Sequence, residues 1–496
     1  MAELADAPDS KSGPRKGVGV QFPPSVLHPA AAPEAFDEQT MPIVPMVLAP
    51  RKYPDPPAIP DYDVARTAFD WQTVAEELRL DPAAMNVGEL AVQRPIDLGL
   101  GDEHALIWYG QEGIEERYSY SEFAQATAKA ARLYQDLGVQ RGDRVVILLP
   151  HIPQLYFAVI GALRAGAVVA VLGGGRNIDY LRNILNRSKP RVMVTVPAFK
   201  ASIASLRPEV KELRTVLFLN RTNAPAPPIE EGEAVWNHSF EAAPAEFTKA
   251  PTNSADRAFI HYTDLGMAGS VVTHLSALSL YTSGRDALEM RPKEGVMCVA
   301  MPGEHTFFSY GLLAPFIAGA KAISLEDPAH FGRYGDLASA EEPKVWFSGQ
   351  KAIDVILRTD PNLGTLLKGC RNICVNFPYD PSFVVMTSDS YGSPVHAVWW
   401  EREFGVLQAC ELRACNTKPG SVGRALPGSE LRVVDDAGAP MPVGTPGFLA
   451  VKLGPGAPFL EYWGDPGLTQ THVRDGWFIT TKTARVDAEG YIWVET

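Results

Sequence analysis

The sequence predicts an α/β protein with two successive doubly wound parallel-sheet lobes and a smaller antiparallel, barrel-like β lobe. Three observations carry this. Short apolar runs of five or six residues alternate with amphipathic helical patterns, as in parallel sheets covered on both faces. A Pro/Glu/Ala-rich connection at 221–256 separates two such sets. After about Pro419 the texture becomes short strands split by turns such as Asp436-Ala-Gly438 and Glu489-Gly490.

The elements follow in order. Residues 1–60 hold 13 of the 42 prolines and no sustained period, which predicts an extended arm without its own core. Its apolar string Met41 to Leu48 leaves two readings open, a disordered tail or an arm lying along a partner or along the body of this protein. The first lobe is expected over 61–220. Tyr120–Leu137 has helical periodicity, Gly138 ends it, and Arg144–Leu149 reads as a buried strand. Helix Gln154–Ala165 then leads to strand Ala167–Leu172, helix Leu181–Ser188 to strand Val192–Val196, and Thr215–Leu219 follows. The second lobe is expected over 257–418, with strands at Ala258–Thr263, Val296–Ala300, Ala322–Leu325, Lys344–Ser348 and Asn372–Asn376. The β-rich lobe covers 419–496, with strands at Leu431–Val434, Phe448–Leu453 and Tyr491–Val494.

Composition narrows the function. With 45 basic and 58 acidic residues the net charge is −13, against a general nucleic-acid surface. Five cysteines in 496 residues are no disulfide scaffold and fit a reducing cytoplasm. The N-terminus lacks an apolar signal region, and the most apolar stretch, Tyr156–Leu172, is broken by Arg164 and too short for a bilayer. A cytoplasmic protein with no membrane or nucleic-acid partner is the expectation.

The ordered strings Tyr118-Ser-Tyr-Ser-Glu-Phe123, Gly142-Asp-Arg-Val145, Leu149-Pro-His-Ile-Pro-Gln-Leu-Tyr156, Trp399-Trp-Glu-Arg-Glu403, Lys418-Pro-Gly-Ser-Val-Gly-Arg424, Asp475-Gly-Trp-Phe478 and Asp487-Ala-Glu-Gly-Tyr-Ile-Trp493 carry a resemblance. Over residues 85–496 the chain resembles the large N-terminal domain of the adenylate-forming superfamily, in particular acetyl-CoA synthetase and other short-chain acyl-CoA synthetases. The resemblance implies the fold above. It also implies a chemistry in which a carboxylate joins the α-phosphate of ATP and the acyl group passes to CoA. A phosphate loop, a Mg²⁺-associated acid, a ribose-binding acid and a C-terminal lid bearing a lysine would serve it.

Each device departs from the pattern here. In the phosphate-loop stretch Tyr262–His274, Thr263, Gly266 and Gly269 remain, but Asp264, Leu265 and Met267 replace the hydroxyl-rich core and the lysine is absent. Asp264 opposes a polyphosphate; a plain strand-to-helix turn is the competing reading. Glu403 falls on the Mg²⁺-associated acid, while Arg402 and Phe404 replace threonines. Arg402 either contacts an anion or, as expected here, pairs with Glu401 or Glu403 and fills the vacated pocket. Lys482 stands where the ribose acid belongs, a donor with no acceptor capacity. The adenine loop, usually Gly-Glu-Pro, aligns with Asn376-Phe377-Pro378. The lid would begin near residue 497, and its absence is part of the expectation.

Other features have competing readings. Cys370, Cys374, Cys410 and Cys415 could hold zinc or be packed thiols. His261, His274 and His305, with Glu304, could serve catalysis or structure. Gly173-Gly-Gly-Arg176 and Arg182 are CoA-binding candidates, though a tight turn also needs the glycines. Phe307, Phe308 and Tyr310 could close an acyl pocket or belong to the core.

The expected function is that of a degenerate acyl-CoA synthetase-like protein, a non-catalytic subunit that binds a protein partner through its N-terminal arm and the face a lid would cover. No catalytic residue, metal or cofactor is assigned with it: Glu403 and Thr263 are vestigial, as are the nucleotide contacts of Thr263, Gly266, Gly269, Arg402 and Lys482. Two alternatives stand beside it. One is a carboxylate-activating ligase, using ATP/Mg²⁺ and CoA and borrowing a lid from another chain. The other is a sensor of acyl-CoA or nucleotide.

Overall fold

A computed structural model describes residues 46–50, 55–174, 177–221, 228–262, 268–359, 369–391 and 395–495. The chain from Pro45 onward is one compact unit built on three sheets of nine, eight and five strands.

The helices form where the sequence signals them. Ser119 and Glu122 make a reciprocal capping box that starts helix Tyr120–Asp136. Pro153 opens helix Pro153–Arg164, which is buried all round except at Gln154 and keeps its last residue, Arg164, inside through bonds to Glu89, Ala124 O and Thr127. Asn177 caps helix Ile178–Ser188, which ends at Lys189 in the left-handed region. The expected strands all form, within one or two residues of their expected ends.

Their grouping into sheets differs from the order along the chain. Strands Arg144–Leu148, Val168–Val171, Val192–Thr195 and Thr215–Phe218 lie parallel in the eight-stranded sheet as expected. Strand Arg257–Tyr262, expected in the second lobe, joins this sheet beside Val168–Val171. In return strand His104–Tyr109, from the expected first lobe, pairs in parallel with Lys321–Leu325 of the nine-stranded sheet. The 419–496 region supplies the five-stranded antiparallel sheet, yet Phe459–Tyr462 crosses to the eight-stranded sheet and Arg424–Ala425 to the nine-stranded one. Strands Arg257–Tyr262 and His104–Tyr109 are buried along nearly their whole length, a pattern that fits either sheet interior, so their partners are set by tertiary packing.

The stretch expected as a strand-to-helix turn at 262–274 is instead a strand-to-strand connection. Gly269–Thr273 folds back antiparallel on Arg257–Tyr262, because the run Ser270-Val-Val-Thr273 satisfies its backbone groups there and is buried on both faces. Thr263, Asp264, Leu265, Gly266 and Met267 lie outside the described residues. The described part of the arm follows the body: Leu48 and Thr417 exchange backbone hydrogen bonds of 2.9 and 2.8 Å. Among the described residues no helix is long and apolar enough to cross a membrane.

The carboxyl ends of the central parallel strands of both large sheets face one space. Gly173 follows Val168–Val171 in one sheet, and Gly303 lies in the loop after Gly295–Val299 in the other. Gly303 has φ +90°, and a Cβ there would stand 2.1 Å from the backbone N of Gly173. Only glycine permits so close an approach with that backbone. Gly303→Ala is therefore expected to lower stability by about 2–4 kcal/mol, measured by urea denaturation. A loss below ~0.5 kcal/mol would mean that the two loops part freely.

Glu411 gives a second test. It is 2% exposed, its Oε2 accepts from Ala397 N at 3.0 Å, and its Oε1 has no partner. Burial pushes its carboxyl up to about 8, against the pull of backbone donors at Ala397 and Lys418. The folded state therefore holds this proton more tightly than the unfolded chain, whose carboxyl titrates near ~4.3. Stability from this group is full below that value and is lost as pH rises through about 8. Glu411→Gln should remove on the order of 4 kcal/mol of the stability difference between about pH 5 and pH 9. An unchanged difference would show that Glu411 is ionised in the fold.

Candidate functional site

The space between the sheet ends is a cleft of about 550 Å³, a size suited to a small-molecule ligand. One wall comes from Gly173, Gly174, Tyr180 and Tyr262, the other from the loop Met301–Thr306 and from Asn376, Phe377, Trp400 and Arg402. Every strand that contributes does so at its carboxyl end, where open α/β sheets place their ligands.

The second wall is polar at its base. Asn376 closes strand Asn372–Asn376 and donates from Nδ2 to Thr306 Oγ1 at 3.2 Å, leaving a buried Oδ1 without a partner. Behind the cleft, the His261 ring lies 4.4 Å from that of His305, which lines the cleft. Burial, reinforced by His305, pushes His261 well below the usual histidine range, so its ring is neutral. His274 stands elsewhere, buried, with Nδ1 accepting from Val87 N at 3.2 Å, a structural contact.

The aromatic run next to the cleft belongs to the core. Phe307, Phe308 and Tyr310 are at most 2% exposed. The Tyr310 hydroxyl accepts from Leu407 N at 2.7 Å and bonds Ser283 Oγ at 2.7 Å, while its ring stacks on Trp400 at 5.1 Å. Tyr310 thereby ties helical structure beneath the cleft to the turn that follows strand Val395–Trp399.

That turn carries the acids. Glu403 accepts from the Tyr462 hydroxyl at 2.7 Å. Tyr462, Ser270 and His261 share one row across the eight-stranded sheet, through the Tyr462↔Ser270 and His261↔Ser270 pairs. A row of this kind depends on long-range pairing, and nothing in the local sequence around Tyr462 marks it. Glu401 is mostly buried, with Oε1 unpartnered. Burial first, then the Glu403 charge, pushes its carboxyl up to about 7, while Lys482 and Arg402 pull it down.

Arg402 is exposed on the cleft wall, and its charge pulls the Glu401 carboxyl down. Phe404 fills space instead. It is fully buried, edge-on to Phe478 at 5.2 Å, and Phe478 packs in turn on Phe459 at 5.1 Å. A benzyl group gains more from that apolar pocket than an arginine head that must stay hydrated.

The remaining candidates separate. Lys482 lies exposed on strand Trp477–Val486, within electrostatic reach of Glu401. Gly269 is buried in the hairpin strand beside Tyr262. Arg182 lies on helix Ile178–Ser188, bonded to Asp179 at 2.5 Å and Glu209 at 3.3 Å. Arg176, Thr263 and Gly266 lie outside the described residues. The thiols of Cys370, Cys374 and Cys410 donate to Pro343 O, Asn372 Oδ1 and Glu411 O. No cluster of three or more His, Cys, Asp or Glu is disposed to hold a metal among the described residues.

The arrangement presents a ligand-sized cleft with Arg402 on its wall and Glu401 and Glu403 on the same turn, Glu401 within electrostatic reach of Lys482. The sequence matches the AMP-binding enzyme family over residues 99–463. It is 25% identical over 452 residues to the acetyl-coenzyme A synthetase of Bacillus subtilis (strain 168), covering 88% of this chain and 76% of that protein. To the acetyl-coenzyme A synthetase of Streptomyces coelicolor it is 26% identical over 455 residues, covering 86% and 70%. In fold it resembles a Brucella canis acyl-CoA synthetase, with a TM-score of 0.79 at 21% identity, over 88% of this chain and 79% of that one. An anthranilate CoA ligase in complex with anthranoyl-AMP gives 0.75 at 17% identity, over 86% and 79%. A match over most of the chain places it: this protein belongs to the AMP-binding enzyme family, as a relative of the acetyl-CoA and acyl-CoA synthetases.

Proposed function

We propose that this chain is a non-catalytic member of its family that acts by binding, as a structural or regulatory subunit of a protein assembly. The observation that carries the reading is Lys482, exposed on strand Trp477–Val486 within electrostatic reach of Glu401. The resemblance expects there an acid that accepts from both ribose hydroxyls. An ammonium has only donors and cannot take that role.

The surrounding residues support the same reading. Phe404 has packed into the core where a phosphate-side threonine is expected. Glu401 feels the charge of two cations, Arg402 and Lys482, as well as that of Glu403, so the turn after strand Val395–Trp399 has counter-charges supplied by the chain itself. A nucleotide and its metal, held in the family manner, do not fit this donor set. What the residues do present is a small-molecule-sized cleft with a polar base formed by Asn376 and Thr306. The protein partner rests on the proline-rich arm at 1–60, a composition suited to extended docking.

One observation favours a second reading, a ligase completed by another chain. Glu403 is oriented by Tyr462 in the position of the Mg²⁺-associated acid. Calorimetric titration with a non-hydrolysable alkyl-AMP ester, with and without Mg²⁺, separates the two. The non-catalytic reading expects no binding at roughly millimolar ligand, a free energy weaker than about −4 kcal/mol. Binding at about 1 μM that strengthens with Mg²⁺ would overturn it and establish the ligase reading.

A further inference from the structure

Residues 55–59 cross the amino-terminal ends of strands in the nine-stranded sheet, at the far end of those strands from the cleft. Glu294 immediately precedes strand Gly295–Val299, and Arg371 immediately precedes Asn372–Asn376. Both hold the same cluster. Arg371 donates from Nη1 to Glu294 Oε1 at 2.9 Å and stands 3.5 Å from Glu289 Oε2, which also pairs with Arg413 Nη1. Arg371, Arg413 and Glu289 have side chains at most 3% exposed.

The body of the protein leaves this cluster incomplete. Among the described ion pairs, the acids that the rest of the body sets against Arg291, Arg371 and Arg413 are Glu289 and Glu294. The third anion is Asp55, whose Oδ2 lies 3.7 Å from Arg371 and 3.8 Å from Arg291. The backbone around it completes the hydrogen bonding. Asp55 O accepts from Arg413 Nη2 at 2.9 Å, Pro56 O accepts from Arg291 Nη2 at 3.0 Å, and Ala58 N donates to Glu289 Oε1 at 3.2 Å. Ile59, 5% exposed, then enters the main core.

The local sequence suits the task. In Asp55-Pro-Pro-Ala58 the two prolines have no N–H to satisfy, and each disfavours helix in the residue before it, so the carbonyls stay extended and open to arginine donors. Arg413, with a side chain 2% exposed, would be left short of an acceptor if it lost Asp55 O, whereas Arg291, 36% exposed, would turn to water.

We propose that Arg291, Arg371 and Arg413 form a socket for an acidic, proline-bearing extended segment, and that this chain fills it with its own residues 55–59 as a charge-locked strap. The strap clasps the ends of strands whose opposite ends form the cleft, so it stabilises the second sheet without competing for a cleft ligand. Its contacts converge on Asp55 and the two residues with free backbone partners, Pro56 and Ala58.

Hydrogen exchange read by mass spectrometry on the full chain tests this. In the wild type, the amides of Ala58 and Ile59 should exchange at least about tenfold slower than in an unstructured peptide. Asp55→Lys, which places a fourth cation in the socket, should accelerate them about tenfold or more while strand 372–376 stays protected. Asp55→Asn, which removes only the charge, should give a smaller acceleration in the same amides and keeps the test readable should the lysine variant not fold. Wild-type exchange at the unstructured rate, or exchange indifferent to the charge at 55, would overturn the proposal.

Discussion

The backbone contact of Gly303 with Gly173 is the constraint on which the cleft depends. Two parallel sheets can be stacked in many ways, but their loops meet at backbone distance only if neither residue carries a side chain. With that contact made, the carboxyl ends of Val168–Val171, Gly295–Val299, Asn372–Asn376 and Val395–Trp399 look into one volume. The cleft is lined from residues at those ends. The opposite ends, free of loops that must reach a ligand, carry the buried ions that clamp the strands.

Most elements were legible in the sequence because their local physics is one-dimensional. A capping box, a proline at a helix start and a five-residue apolar run each act within a few residues. Lobe membership was not. Arg257–Tyr262 and His104–Tyr109 have nearly every side chain buried, so neither shows an alternation that would tell one sheet from another. Partner choice is then made by long-range packing, and the chain crosses between the sheets where a linear reading sees consecutive lobes.

The site was legible in part, for a different reason. Motif strings located Glu403, Arg402 and Lys482, because chemistry at a strand end leaves a local signature. Tyr462 left none. It reaches Glu403 from a strand nearly sixty residues later, through pairing with Gly269–Thr273. The fate of Phe404 was also hidden, since a phenylalanine in a motif reads equally as a ligand contact or as packing until its neighbours Phe478 and Phe459 are known.

The electrostatics bear on how such a site changes role. With an acid at position 482, Glu401, Glu403 and that acid would place three carboxylates along one edge, a deficit of positive charge that a metal ion and its ligand would relieve. Lysine at 482 and arginine at 402 remove that deficit from within the chain. Glu401, carried up to about 7 by burial and by Glu403, is neutral for much of the time near neutral pH, which tips the edge toward net positive charge. An edge of this kind is balanced by the chain's own charges, and a lysine at 482 offers a ribose no acceptor, which is why the proposed reading is a scaffold that acts by binding.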